Sequence, residues 1–137
     1  MNESSVTAPF IKKLREAIPD AEIIKTHDVS TIGIPDLSIT YAGREFKLEF
    51  KLWTPLHSWD GSPHTVPVEK IAAKSPVQLA LMKRYAKAAS FALYMVWVRK
   101  SNCIVFWSPL EPEGWLSVRT TAEAVDLISI LIRKWVN

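Results

Sequence analysis

Two neighbouring segments, residues 35–41 and 44–52, alternate between apolar and polar side chains with a period of two. This period is typical of β-strands, whose successive side chains point to opposite faces of a sheet. One face would carry the apolar residues Leu37, Ile39, Tyr41, Phe46, Leu48, Phe50 and Leu52. The other would carry Asp36, Ser38, Thr40, Glu45, Lys47, Glu49 and Lys51. We therefore predict a hairpin with one buried face and one polar face.

The register of this hairpin follows from the two residues between the segments, Ala42 and Gly43. Gly43 can adopt the positive φ that a tight two-residue turn requires. In the resulting register Asp36 lies opposite Glu49 and all apolar residues share one face. A slip by one residue would place Asp36 opposite Phe50 and mix the two faces. We therefore predict that Asp36 and Glu49 are neighbours across the two strands.

The remaining elements follow from the same kind of pattern. Apolar residues at helical spacing predict helices over residues 7–18, 76–89 and 121–136. Further strands are predicted over residues 21–26, 91–98 and 103–107, and irregular loops over residues 52–75 and 109–114. This order predicts one α/β domain over residues 1–137, in which helices flank a central mixed β-sheet.

Composition narrows the class of protein. The chain has 137 residues, of which 48% are hydrophobic and 23% charged, as expected of one packed domain. Its net charge of +3 is mildly basic and by itself only weakly indicates a nucleic-acid partner. A single cysteine, Cys103, excludes an internal disulfide and a zinc site built on several cysteines. We see no signal peptide and no apolar run near the roughly 20 residues of a membrane span, so we expect a cytoplasmic protein without membrane contact.

The predicted neighbours Asp36 and Glu49 are the first candidate for chemistry. Two carboxylates held together repel each other unless a cation or a shared proton is present. Mg²⁺ supplies that charge and prefers oxygen ligands. Lys51 projects from the same face as Glu49, where its ammonium can help to position a water. This combination suits hydrolysis of a phosphodiester, with one or two metal ions.

A plainer interpretation of the same residues is a solvated sheet face with cross-strand ion pairs. Glu49 could pair with Lys47 or Lys51 without any chemistry. The motifs around the three residues decide between the two interpretations.

Gly33-Ile34-Pro35-Asp36 followed by Glu49-Phe50-Lys51 resembles the signature of the PD-(D/E)xK nucleases. The chain is most similar to the VRR-NUC family of small phage and repair nucleases, and behind it to the archaeal Holliday-junction resolvases. Three further segments share the resemblance, which covers about two-thirds of the chain: Glu3-Ser4-Ser5, Lys25-Thr26-His27 and Ser75-Pro76-Val77-Gln78. The resemblance therefore favours the catalytic interpretation.

The resemblance implies a restriction-endonuclease-like core and a set of roles. The implied ligands of Mg²⁺, which Mn²⁺ can replace, are Asp36, Glu49, the backbone carbonyl of Phe50, and Glu3. Lys51 would assist the attacking water, and Gln78 would point into the site. Two choices stay open at this stage. Glu3 could instead be a charge near a helix start, with Glu16 as the rival carboxylate of the first helix, and Gln78 could be an ordinary polar surface residue.

Several residues are candidates for DNA contact. The link over residues 52–74 is longer than the resemblance leads us to expect, so this segment could contact DNA as an insertion. Basic residues there and in the next helix could bind phosphates, or could simply be solvated: Lys70, Lys74, Lys83, Arg84 and Lys87. Trp53 and Trp59 could stack on unpaired bases, or only pack the loop.

Together these expectations describe a Mg²⁺-dependent endonuclease acting on DNA. The resemblance ranks branched DNA first, as for a Holliday-junction resolvase in recombination or repair. Two symmetric cuts at a junction imply a homodimer. A repair, flap or restriction-type nuclease would use the same centre. An alternative of another class is a DNA-binding module without catalytic activity.

Overall fold

The computed structural model of the chain describes residues 3–26 and 34–136, with side chains over residues 5–26 and 34–135. The helices are α1 (Glu3–Ala17), α2 (Val68–Ala73), α3 (Pro76–Ala88) and α4 (Thr121–Val136). The strands are β1 (Glu22–Lys25), β2 (Leu37–Tyr41), β3 (Arg44–Trp53), β4 (Phe91–Val98), β5 (Ile104–Ser108) and β6 (Glu111–Val118). Within these ranges no helix is long and apolar enough to cross a membrane.

The six strands form one mixed sheet in the order β1-β2-β3-β4-β5-β6. β3 and β4 are parallel, and every other neighbouring pair is antiparallel. Parallel neighbours require a crossover connection, which the chain makes through α2 and α3. The predicted α/β class, with helices around a central mixed sheet, is confirmed.

Helices cover both faces of the sheet. On one face, Phe10 and Leu14 of α1 and Ile128 of α4 pack against Leu48 and Phe50 in the largest apolar cluster. On the other face, smaller clusters join α2 and α3 to β4 and β5, with Met82 and Tyr94 among their members. Glu49 alternates with Phe50 along β3, so it faces the side that α3 covers.

The hairpin of β2 and β3 has the predicted register. Tyr41 pairs with Arg44, and the pairs continue in step as far as Leu37 and Leu48. Tyr41 and Leu52 of the predicted apolar face are partly buried. The other five residues of that face are buried: Leu37, Ile39, Phe46, Leu48 and Phe50. The apolar alternation therefore identified the buried face correctly.

Two predictions about loops were wrong. Residues 109–114 were expected to be irregular, but β6 begins at Glu111 and pairs with β5. Most side chains of β6 are exposed, so the strand lacks an apolar alternation, and Pro112 and Gly114 also argued against it. An edge strand tolerates both residues because one side of it forms no ladder.

Residues 52–75 are likewise less irregular than predicted. β3 extends to Trp53, a 3₁₀ turn covers Pro63–Thr65, and α2 occupies Val68–Ala73. The segment is held against the sheet by a cluster that includes Val66 and Ile71. α2 has only six residues, too few to show a helical period.

Candidate active site

Asp36 lies at the point where β2 begins, and its backbone is held from two sides. Its N–H donates to Oε1 of Glu49 at 3.1 Å. Its carbonyl accepts the N–H of Thr26, which follows β1, at 2.9 Å. Counted from the turn, the last regular pair of the β2–β3 ladder is Leu37 with Leu48, so Asp36 lies one residue beyond the ladder. Asp36 and Glu49 are thus in contact, as the register predicted.

The side chain of Asp36 returns to β3. Its Oδ2 accepts the backbone N–H of Phe50 at 2.8 Å. The β2–β3 ladder ends before Phe50, so the Asp36 carboxylate accepts the N–H that a backbone carbonyl of β2 would otherwise accept. The N–H and the carbonyl of a strand residue point to the same side, so the Phe50 carbonyl points to the side of β3 on which β2 lies.

Glu49 is the centre of the remaining contacts. Its Oε2 accepts a hydrogen bond from Nε2 of Gln78 at 2.7 Å. Nζ of Lys51 lies 3.5 Å from the same oxygen. Gln78 is in the first turn of α3. It is 29 residues from Glu49 in sequence, and the crossover between β3 and β4 brings it to Glu49. The structure therefore assembles Asp36, Glu49, Lys51 and Gln78 in one cluster.

Burial dominates the electrostatics of this cluster. Glu49 is 3% exposed. Burial first, and then the charge of Asp36, raise the pKa of Glu49 to about 8, while Lys51 opposes the increase. The metal-free carboxyl therefore holds a proton near neutral pH. A divalent cation would replace that proton, and two carboxylates beside a peptide carbonyl form the oxygen donor set that Mg²⁺ prefers.

Two buried oxygens next to Glu49 also lack partners. Among the described residues, neither Oε1 of Gln78 nor the hydroxyl of Tyr94 has a hydrogen bond. Tyr94 is 1% exposed and pairs with Glu49 in the parallel register of β3 and β4. Burial, followed by the charge of Glu49, raises the pKa of Tyr94. Orphan buried oxygens are commonly satisfied by water or an ion, so the site suits a hydrated cation.

Sequence reasoning missed Tyr94. It lies within the apolar run 91–98, where an aromatic residue indicates only core. Its position beside Glu49 requires knowledge that β4 runs parallel to β3 in this register.

Of the two first-helix carboxylates, only Glu16 has a described side chain. The side chain of Glu3 and residue His27 lie outside the described part of the chain. Glu16 is exposed and lines a surface pocket with Lys12 and Arg15 of its own helix. Over the described ranges no group of three acidic, histidine or cysteine side chains could hold a metal ion. Among the described residues, the cluster therefore offers two carboxylates to a metal ion, Asp36 and Glu49.

The candidate DNA-contacting residues divide into two places. Four of them line one cleft of about 690 Å³ between the end of β3 and α2: Trp53, Trp59, Lys70 and Lys74. The other three are exposed on α3: Lys83, Arg84 and Lys87. Both tryptophans also pack against the cluster of Val66 and Ile71, so the packing role expected for them is observed.

Comparison with known proteins adds a distant similarity. No protein-family model and no curated protein matches the chain. Among solved structures, the chain is similar to Hjc, a Holliday junction resolvase from the archaeal hyperthermophile Archaeoglobus fulgidus. The two share 12% identity over 89% of each chain, with a TM-score of 0.47. At this distance the similarity assigns no function, and the cluster around Glu49 remains the ground for one.

Proposed function

We propose that this protein is a metal-dependent endonuclease that hydrolyses phosphodiester bonds of DNA, with residues 1–137 acting as one nuclease domain. The observation that carries the proposal is the buried Glu49, whose carboxylate contacts Asp36, Lys51 and Gln78 at once. Such an arrangement is costly for a structural role alone, because it buries a carboxylate next to another one.

The acidic residues would hold Mg²⁺, for which Mn²⁺ can substitute. The ligands are Asp36, Glu49 and the carbonyl of Phe50, with Glu3 as a further candidate. Bound metal, as one or two ions, supplies positive charge that neutralises the scissile phosphate and lowers the pKa of the attacking water.

Two neighbouring side chains would prepare the water. Nε2 of Gln78 holds the Glu49 carboxylate in one orientation, while its Oε1 is free to accept a hydrogen bond from a water. The ammonium of Lys51 lies beside Glu49, where it can orient the water or donate to a phosphate oxygen. These contacts would reduce the reorganisation needed when negative charge develops.

Branched DNA ranks first as substrate. The support for it is the resemblance of the Pro35-Asp36 and Glu49-x-Lys51 motifs to junction-resolving nucleases. A homodimer would then present two symmetry-related active sites, one for each of the paired cuts. The exposed cations of α3 would contact phosphates on the way to the site: Lys83, Arg84 and Lys87. A repair, flap or restriction-type nuclease is the alternative with the same chemistry.

The catalytic part is tested with Asp36→Ala. Because Asp36 contacts both Glu49 and the Phe50 peptide, we expect the variant to lose Mg²⁺-dependent cleavage by at least a hundredfold while still binding DNA. The matched control is Asp126→Ala, which removes an exposed carboxylate of α4. Cleavage assays with Mg²⁺ and Mn²⁺, and DNA binding in EDTA, provide the measurements. A wild type that binds DNA but cuts nothing with either metal would support the binding module instead.

The substrate preference needs a separate experiment. Linear duplex, flap and four-way junction DNA are incubated with the wild type and the cuts are mapped. Paired, symmetric cuts at the junction are the expected result. Equal cutting of all three would remove the preference for branched DNA and leave the nuclease assignment in place.

A further inference from the structure

The cleft beside the candidate active site has its own chemistry. It begins directly after Lys51, since Leu52 and Trp53 line it, and its lining includes Lys70 of α2 and Lys74, which directly follows α2. α2 continues into α3, which carries Gln78. Side chains two positions apart on a strand share a face, so Trp53 follows Glu49 and Lys51 along the same face of β3. The cleft therefore adjoins the cluster along β3.

One wall of the cleft is apolar and aromatic. The rings of Trp53 and Trp59 meet edge to face, with centroids 5.7 Å apart at 89°. Leu56 lies on the same wall and is 74% exposed, the largest exposure among the large apolar side chains described. An apolar side chain this exposed at a cleft indicates a surface that a ligand can cover.

Another part of the lining is cationic. Lys70 and Lys74 are both exposed on it. The lining also holds one carboxylate, Asp60, which keeps its negative charge while its Oδ1 accepts the hydroxyl of Thr65 at 2.7 Å and the N–H of Ser62 at 2.9 Å. These bonds stabilise the turn over residues 60–65, which contributes Asp60 and Thr65 to the lining. The two lysines outnumber the single carboxylate, so the lining carries a net positive charge.

The occupant must match both walls. It needs a flat or apolar face for Leu56 and the tryptophans, and an anionic group for the lysines. A nucleotide has both, and a cleft of about 690 Å³ is large enough to hold one. In continuous duplex DNA the base faces are stacked and unavailable, so the base must be unpaired to enter.

Resting on the proposed nuclease function, we propose that this cleft binds an unpaired nucleotide of the DNA substrate beside the scissile phosphate. The base lies against Leu56, Trp53 and Trp59, and its phosphate lies near Lys70 and Lys74. Residues 52–74 thereby favour DNA with unpaired nucleotides, such as flaps and overhangs, over fully paired duplex, which supports the flap alternative rather than a fully paired four-way junction.

The test compares binding of two DNAs in EDTA, where no cleavage occurs: a blunt duplex and the same duplex with a short single-stranded overhang. The wild type is expected to bind the overhang DNA more tightly by about tenfold, the usual scale of one stacked base. Leu56→Ser should weaken binding of the overhang DNA about three- to tenfold and leave blunt duplex unchanged. Its control is Ile130→Ser, which alters an exposed apolar residue of α4 and should change neither affinity.

A second variant covers the cationic wall. Lys70→Gln combined with Lys74→Gln should lower the affinity for overhang DNA more than for blunt duplex, whereas Lys134→Gln on α4 should not. Equal binding of the two DNAs by the wild type, or equal weakening of both by Leu56→Ser, would overturn the proposal. Failure of the nuclease proposal looks different: the wild type would still select overhang DNA but would cut nothing with Mg²⁺ or Mn²⁺.

Discussion

A buried carboxylate is tolerated only where its surroundings replace the water that it loses. Glu49 accepts hydrogen bonds from the Asp36 backbone and from Gln78, and Lys51 lies 3.5 Å away. These contacts do not offset its burial and the nearby charge of Asp36, since the pKa of Glu49 rises to about 8. At the scale of single residues the site is therefore unstable as a pair of anions and stable with one proton or with a cation.

This imbalance predicts how the metal-free protein responds to pH. Below its ordinary pKa of 4.5, Glu49 is protonated in both the folded and the unfolded state. As pH rises, the unfolded chain releases the proton first, while the folded protein keeps it until about pH 8. The free energy of unfolding should therefore fall by roughly 2–5 kcal/mol between about pH 5 and pH 8.

Glu49→Gln should remove most of this pH dependence and be more stable than the wild type at about pH 8, because the amide needs no proton. Urea unfolding in EDTA at several pH values measures the effect. Glu45→Gln, at an exposed position of the same strand, is the control and should keep the wild-type slope. If Glu49→Gln keeps that slope as well, another group is responsible for it.

At the scale of elements, the β2–β3 turn places an alanine, Ala42, in a left-handed backbone conformation that alanine disfavours. Ala42 has φ +50° and Gly43 has φ +77°, so both residues are left-handed. This suits Gly43 but strains Ala42, because a Cβ disfavours that region by about 1 kcal/mol. Asparagine tolerates the left-handed region better than alanine.

Ala42→Asn should accordingly raise the free energy of unfolding by about 0.5–1 kcal/mol. Gly43→Ala should lower it by about 1 kcal/mol. That loss is purely conformational, since a Cβ at Gly43 would meet nothing within 4 Å. Urea unfolding of both variants tests the pair. A less stable Ala42→Asn would mean that the turn has another conformation.

At the scale of the whole molecule, DNA affinity should depend on the cations of α2, α3 and the short link between them acting together. The net charge is only +3, so a general attraction to DNA is weak and the placement of the charges decides. The cations in question are Lys70, Lys74, Lys83, Arg84 and Lys87. Both helices cover the face of the sheet that Glu49 faces.

If all five cations contact phosphates of a duplex, the logarithm of the binding constant should fall with the logarithm of the salt concentration with a slope of about −4 to −5. A slope of about −3 would leave only the three cations of α3 in contact. The measurement is a titration of duplex DNA in EDTA at several NaCl concentrations. A slope near zero would contradict phosphate binding by this face.

The sequence alone determined the hairpin and the core of the site. The two-residue period and the Ala42-Gly43 turn are local features, and they determine which side chains share a face and which residues lie opposite one another. The contact between Asp36 and Glu49, with Lys51 beside it, could therefore be predicted from residues 35–52. Local patterns also located α4, whose apolar stripe is long.

Only the tertiary structure decided what surrounds that hairpin. Tyr94 lies beside Glu49 because β4 is parallel to β3, and the Gln78 contact, suggested before only by resemblance, needs α3 to cross the sheet. The cleft forms because α2 returns to the end of β3, and β6 is a strand only because β5 offers it an edge. No local period encodes these long-range pairings, since they depend on how separate elements share a core.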